Sequence, residues 1–502
     1  MKKILVICED RIGEKMAGPG IRSFEMCKFF SQHFFTILAL PNSCKKTKIK
    51  CSFEIKFADF GNTNEMENFI KDLNPDVLLF NSVNIGSYYF LQNLEIPIII
   101  DLYVPTPFEN LELNINADIS LEQKENFYND ELMSLKNKIL IGDYFLCANE
   151  KQKDLFIGMF TILGKINPKL YLQNKTFDNL INVVPFGISS NEPIHSKQVI
   201  KGVYRGIDEK DFVLIWAGGI WEWLDPLTVI KALNLVLKKR RDVKLLFLGT
   251  KHPAGIPEMQ MFKKAKELSI DLGLYNNFVF FNEDWINYED RQNFLLEADI
   301  GISAHFSIME TQFSFRTRIL DYFWAKLPMI LTKGDVLSEF VQKNSLGEII
   351  DYGDVNGWEK AILKLIENKE LYSQYCKNIA LIRGQFVWDK ALEPLIEFCK
   401  NSSKKPKINF DQKMKVNLIE KNQQEKTDFE KKFSLTESIK NIIQQKKEEN
   451  NIQKQQINEI LNNISFLKEK ISIIEERLYH TNLFVEKVRC SFIYKILKKI
   501  KK

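Results

Sequence analysis

The 502-residue chain has no Cys-x-x-Cys pair among its eight cysteines, no Asp-x-Asp, and no run of 18 or more apolar residues. The cysteines, at 8, 27, 44, 51, 147, 376, 399 and 490, sit mostly in strand-like or helix-like surroundings. Without paired spacing they argue against a zinc site and for a reducing, cytoplasmic setting. The longest uncharged stretch, Val77 to Leu94, is interrupted by Asn, Ser and Gln, so no membrane span is expected. The opening MKKILVICEDR has too short an apolar core for a signal peptide before Glu9 and Asp10, and reads as a first strand. The absence of Asp-x-Asp leaves metal dependence without a sequence signal, and no residue stands out as a covalent nucleophile.

The 45% hydrophobic content suits a folded protein of about three domain-sized units. The formal charge of +5 is divided unevenly. Residues 401–502 carry 23 Lys and Arg against 13 Asp and Glu, a net +10, which leaves residues 1–400 at −5. Any anionic membrane contact therefore belongs to the tail. Nothing in the tail interleaves aromatics with base-reading groups, so nucleic acid is not an expected partner.

Seven apolar runs cross the first part of the chain: KILVIC, FFTILAL, FEIKFADF, DVLLFN, IPIIIDLY, YFLCAN and INVVPFGI. Helical patterns separate them, which predicts a parallel sheet covered on both faces. After the first run, Gly18-Pro19-Gly20 opens a helix carrying Arg22 in its first turn, above the sheet edge where ligands bind in such folds. Asp101 ends another strand at that edge, with Tyr103 two residues on. Residues 189–206 lose the pattern and read as a linker.

A second α/β unit follows, with strands FVLIWAG, KLLFLG, FVFFN, IGISA, PMILT and GEIID. Its first strand runs into GGIWEWLDP, where Gly218 and Gly219 would let backbone approach a phosphate. Asp225-Pro226 would start the next helix. Trp221, Trp223 and Trp285 suit packing or stacking on a base. The stretch His305–Pro328 (HFSIMETQFSFRTRILDYFWAKLP) is the centre of the reading. Phe315, Ile319, Leu320, Phe323 and Trp324 recur at helical spacing, with Ser314 as the expected N-cap and Thr317 in the first turn. Arg318 and Asp321, three apart, share one face. That face would offer a cation to a diphosphate and a carboxylate to a sugar diol, or hold only an intrahelical ion pair.

From Asn401 glycine disappears. Ile457, Ile464, Ile471, Leu478, Val485 and Phe492 repeat every seven residues, with Ile460, Leu467, Ile474 and Val488 between them. This predicts a coiled coil, against the alternative of a helix docked on the body. The closing FIYKILKKIKK suits an interfacial membrane helix or a solvated basic end. The expected divisions are 1–195, 196–375, a closing helix at 376–400, a polar helical linker at 401–456, and the coil with its basic end at 457–502.

Five segments together resemble the GT-B glycosyltransferases, specifically retaining family 4 in its bacterial surface-polysaccharide branch. They are MAGPGIRSFEM (16–26), DYFLCANEKQKDLFIGM (143–159), VVPFGI (183–188), WAGGIWEWLDPLTVIKAL (216–233) and METQFSFRTRILDYFWAKLP (309–328). The resemblance spans about residues 1–400 and implies two Rossmann-like domains facing a cleft. The second would bind a nucleotide-diphosphate sugar, and the first a glycan or lipid-linked acceptor. It implies Asp321 on the ribose diol and Glu310 on the donor sugar, although Glu310 stands further back than the family's E-x7-E spacing. The family's Arg and Lys after the second domain's first strand are missing, and Arg316 and Arg318 are the expected substitutes on the diphosphate. Asp101 stands near the place of the family's first-domain histidine. The resemblance also implies front-face, retaining transfer in which a donor phosphate oxygen helps take the acceptor proton. No cofactor beyond the donor is expected. Two rivals remain: an epimerase or hydrolase of nucleotide-sugars on the same fold, and a non-catalytic scaffold assembled through its coil. The expected protein is a cytoplasmic homo-oligomer, with an anionic membrane surface as a candidate partner at the inner face.

Overall fold

A computed structural model describes residues 1–403, apart from 46–49, 86–87, 251 and 253–257, together with Leu467 and Lys470. These residues up to 403 fall in the compact unit Met1–Ile408. The heptad from Ile457 to Phe492 and the basic end belong to a second unit, Asn409–Lys502, and lie outside the described residues apart from Leu467 and Lys470.

The first sheet contains β1 (Lys3–Cys8), β2 (Phe35–Pro41), β3 (Glu54–Ala58), β4 (Val77–Asn81), β5 (Ile98–Asp101), β6 (Tyr144–Cys147) and β7 (Ile181–Val183). They are ordered 3-2-1-4-5-6-7, and every pairing is parallel. The second sheet contains β8 (Phe212–Ala217), β9 (Val243–Leu248), β10 (Val279–Asn282), β11 (Ile300–Ser303), β12 (Met329–Thr332) and β13 (Gly347–Ile350). Its order, 10-9-8-11-12-13, repeats the same winding, again all parallel. Each sheet thus reverses direction beside its first strand, and that crevice is where an open α/β sheet binds ligands. The central strands are buried along their whole length, as continuous Ile, Leu, Val and Phe runs require when helices cover both faces.

The chain crosses between the sheets twice. In the linker, the Glu297 carboxylate accepts the N–H groups of Val199, Ile200 and Lys201 at 2.8, 2.7 and 2.9 Å, tying the crossing to the second sheet's helices. On the return, the Glu393–Asn401 helix places Phe398 flat on Tyr144 of β6, with ring centroids 3.9 Å apart. Lys2 donates to the carbonyls of Cys399 and Lys400. Among the described residues no helix is long and apolar enough to cross a membrane.

Candidate functional site

The Thr317–Ala325 helix lies across the carboxyl ends of β8 and β11 because Tyr322 fixes it there. The Tyr322 hydroxyl donates to the Ile302 carbonyl at 2.8 Å, lies 3.1 Å from the Ile215 carbonyl, and accepts from the Ala217 N–H at 3.2 Å. Its ring covers Gly301, where a Cβ would stand 2.5 Å from the ring, so only glycine allows this approach. The helix begins two residues later than the expected Ser314 cap. Ser314 instead ends the short Met309–Phe313 helix and donates to the Thr311 carbonyl at 3.0 Å. Arg316 occupies the N-cap position without a side-chain cap, because its guanidinium turns back to Glu310. Thr317 is the first helical residue.

Arg318 and Asp321 share a face but do not pair. Arg318 Nη2 donates to the Gly219 carbonyl at 2.9 Å, and the guanidinium lies 4.8 Å from the centre of the Trp216 ring. Its Nη1 is buried and has no hydrogen-bond partner. Burial lowers this guanidinium from its ordinary 12.5 to about 10, with the Arg316 charge adding to the effect. Asp321 receives only a long 3.4 Å bond, from Arg291 Nε to its Oδ1, and its side chain is 31% exposed. Burial raises the Asp321 carboxyl against the pull of Arg291. Arg291 is itself sandwiched between Tyr288, at 3.8 Å, and Trp324, at 4.4 Å. One helix face therefore presents an unneutralised cation and a loosely held carboxylate.

Glu310 and Arg316 form a closed pair. Arg316 donates through Nη1 and Nη2 to the two carboxylate oxygens at 2.7 and 2.6 Å, and Glu310 is 1% exposed. Such a bidentate pair is neutral overall. The pair carries no net charge, although Arg316 Nε is buried without a hydrogen-bond partner. Behind them His305 Nε2 lies 3.0 Å from the Lys333 carbonyl, so that nitrogen carries the proton. Its Nδ1 lone pair faces Asp335 Oδ2 at 3.7 Å, and both of these atoms are buried without a hydrogen bond. Burial, reinforced by Arg316, lowers His305 to about 3, while burial raises Asp335 to about 6.

At the end of β8 Gly218 has φ +129, which favours glycine, and Gly219 carries the carbonyl bonded by Arg318. Trp221 stacks on Trp223 at 5.4 Å and meets His252 edge-on, which in turn meets Trp285. Asp225 is the buried N-cap of the Pro226–Val236 helix: it accepts from Thr228 N at 3.0 Å and from Thr228 Oγ1 at 2.6 Å, which leaves its carboxylate engaged at the place expected for a phosphate. Glu222 caps the Gln260–Asp271 helix through the N–H groups of Gln260 and Met261.

On the first domain the expected anion site is already neutralised. Arg22, fully buried, grips Asp101 through Nε at 2.6 Å and Nη2 at 3.0 Å, and the carbonyls of Val184 and Pro185 through its remaining donors. Asp101 is held in the same pair, so neither is free for a ligand. The Gly20 N–H donates to Asp10 at 3.1 Å, which removes one donor of the helix start from anion binding. Gly18 packs close to the Tyr103 hydroxyl.

The domains meet at the site loop. Asn149 Nδ2 and Gln152 Nε2 donate to the Phe313 carbonyl at 3.2 and 2.9 Å, and Phe108 stacks on the Phe313 ring at 5.4 Å. Across the same cleft Trp285 Nε1 donates to the Met16 carbonyl at 2.8 Å. Sequence reasoning did not single out Asn149, Gln152 or Arg291 as site residues. ANEKQK (148–153) signals only a helix start, and Arg291 lies 30 residues from its partner Asp321. Among the described residues no group of three or more His, Cys, Asp or Glu is arranged as a metal site.

Residues 204–381 match the family described as glycosyl transferases group 1. No curated protein matches the chain. Among solved structures, sucrose-phosphate synthase from Thermosynechococcus elongatus is 10% identical with a TM-score of 0.58, covering 80% of this chain and 98% of its own. HepE from Anabaena, in complex with UDP-glucose, is 14% identical with a TM-score of 0.58, covering 80% and 100%. WaaG, a glycosyltransferase involved in lipopolysaccharide biosynthesis, is 13% identical with a TM-score of 0.53, again covering 80% and 100%. The match to the glycosyl transferases group 1 model falls on the second sheet and its helices, and the two sheets together have the GT-B fold.

Proposed function

We propose that the chain moves a sugar from a nucleotide-diphosphate sugar to a hydroxyl of a bacterial surface glycan or lipid-linked acceptor. The observation that carries this reading is Arg318, a cation whose buried Nη1 has no protein partner, one turn from an Asp321 carboxylate with an oxygen to spare. Arg318 would take the diphosphate, where negative charge builds as the nucleotide leaves. Asp321 would accept the two ribose hydroxyls, and the Gly218–Gly219 backbone would line the phosphates. Arg318 reaches the Gly219 carbonyl, at the turn where the resemblance led one to expect an Arg and a Lys. A cation supplied there from the neighbouring helix favours an enzyme over the scaffold reading.

The Glu310–Arg316 pair would then shape the donor-sugar pocket as one rigid neutral unit, and Trp221 would border the nucleotide. The finer reading is retaining, front-face transfer of the family 4 type, without a metal. For the tail we propose self-association through residues 457–492 and contact of the basic end with an anionic membrane surface. The complex of HepE with UDP-glucose supports nucleotide-sugars as the first compounds to try. The test is a panel of nucleotide-sugars screened by thermal shift, since a donor that binds only the folded state raises its melting temperature. Transfer to hydroxyl acceptors is then assayed for each hit. Failure of every nucleotide-sugar and free nucleoside diphosphate to stabilise the protein would refute the reading.

A further inference from the structure

Phe313 ends the short Met309–Phe313 helix, so its carbonyl has no partner within that helix. Two side chains of the first domain supply the donors. Asn149 Nδ2 reaches the carbonyl at 3.2 Å and Gln152 Nε2 at 2.9 Å, while Phe108 stacks on the Phe313 ring. Gln152 is fully buried, and its amide is saturated. Its Oε1 accepts from the Ala148 N–H at 2.7 Å, just beyond β6, and Nε2 also donates to the Tyr103 carbonyl at 3.0 Å, just beyond β5. Two carbonyls on one side and an N–H on the other allow the amide a single orientation. Its backbone is fixed as well, because Asn149 Oδ1 caps the Glu150–Ile162 helix by accepting from the Gln152 N–H at 2.9 Å. The reach of this arm is set by two strand ends and a helix start of the first domain.

The loop that receives the arm is braced internally. Thr311 Oγ1 donates to the Phe306 carbonyl at 2.8 Å, Ser314 Oγ to the Thr311 carbonyl at 3.0 Å, and Arg316 closes on Glu310. Fixing Phe313 therefore fixes the Glu310–Arg316 pair. The Thr317–Ala325 helix is anchored separately, by Tyr322 on β8 and β11. Its Arg318 and Asp321 are held from within the second domain, by the Gly219 carbonyl and Arg291. Resting on the transferase reading, we propose that Gln152, with Asn149, is a positioning residue through which the first domain sets the donor-sugar side of the site. The nucleotide side is set by the second domain. Meeting of the domains then brings up the acceptor and orients the donor sugar in one event, which limits loss of the donor to water.

The experiment compares wild type with Gln152→Glu, Asn149→Ser and Lys151→Ala in the full chain. Gln152→Glu keeps the size and the bond from Ala148 but turns an oxygen toward two carbonyls. Asn149→Ser keeps a helix cap and removes the arm to Phe313. Lys151, whose surface ion pair with Glu339 at 2.8 Å joins the same two domains, is the control. Hydrogen exchange of the ligand-free protein should quicken about tenfold or more over residues 306–316 in Gln152→Glu and Asn149→Ser, with residues 317–325 and the first sheet unchanged. By calorimetry UDP should bind both variants as it binds wild type, while affinity for UDP-glucose relative to UDP should fall about tenfold. Lys151→Ala should match wild type throughout. Unchanged loop exchange in both variants, or loss of UDP and UDP-glucose affinity by the same factor, overturns the positioning role. Loss of protection across the first sheet in both variants makes these residues structural and overturns it too. A wild type that no nucleotide-sugar or nucleoside diphosphate stabilises overturns the transferase reading instead, and loop exchange then still decides whether the first domain sets the loop.

Discussion

Arg318→Met should make the empty protein more stable and the enzyme much worse. The guanidinium sits in the cleft wall with one carbonyl acceptor, the face of Trp216 and an unsatisfied Nη1. Holding it at about 10 against an ordinary 12.5 corresponds to roughly 3 kcal/mol of charge destabilisation. The side chain is partly open to solvent, so we discount this to about 1–2 kcal/mol. Methionine keeps the apolar stem over Trp216 and removes the charge, so urea unfolding of the empty variant should show a gain of that order. The ligand side runs the other way. Charge-assisted hydrogen bonds to the diphosphate contribute roughly 1.5–3 kcal/mol, and their loss should weaken nucleotide affinity about tenfold to a hundredfold. Turnover should fall by about a hundredfold or more, since charge on the leaving group grows in the transition state. Saturating nucleoside diphosphate should therefore raise the wild-type melting temperature more than that of the variant. A variant that is less stable than wild type and binds nucleotide equally well would refute the reasoning, because Arg318 would then be an ordinary structural group.

Asp321→Ala should weaken nucleotide binding at least about tenfold by calorimetry with the fold intact, through loss of the acceptor for two hydroxyls; unchanged affinity would sink the ribose role. Asp335→Asn tests the buried pair by pH. In wild type the folded Asp335 takes up a proton as pH falls through about 6, matching the proton that unfolded His305 gains near 6.5, so the two groups nearly cancel between pH 6 and 4. In the variant only the depressed His305 remains, and its contribution, full above 6.5, should drain toward about 3 at up to about 1.4 kcal/mol per pH unit. Identical acid profiles by urea unfolding would contradict that assignment. For the tail, full-length protein should be oligomeric and pellet with anionic vesicles, while a protein ending at residue 400 should be monomeric and still bind donor. Light scattering showing full-length monomers would count against it.

All thirteen apolar runs appear as strands, because a strand buried on both faces leaves an unbroken run of β-branched and aromatic residues. The Rossmann-like order and the placing of Gly218 and Asp321 at the carboxyl edge follow from the same alternation of runs and helical patterns. The start of the site helix was less legible. Ser314 has the chemistry of a cap, yet the chain stays extended through Phe315 so that Arg316 can reach back to Glu310. That choice is made by burial of an ion pair six residues apart, which neither helical nor strand periodicity encodes.

Which charges are free to meet a ligand was the part the sequence could not state. Arg22, Arg316 and Arg318 look alike as arginines beside loops and helix starts, but their fates are set by contacts 79, 6 and 99 residues away. Arg22 finds Asp101 across two strands of the first sheet, and Arg316 finds Glu310 in its own loop. Arg318 reaches the end of β8 and finds a carbonyl and a ring. A buried cation without a carboxylate weakens a fold, so its persistence in the wall of a cleft calls for an anion that is sometimes there. The same logic selects Asp321 among the acids, because its partner Arg291 holds it at 3.4 Å and leaves one oxygen open, whereas Asp225 and Glu222 are consumed as helix caps. The proposed donor site is thus defined less by which charged residues stand near the sheet edge than by which of them the fold leaves unneutralised.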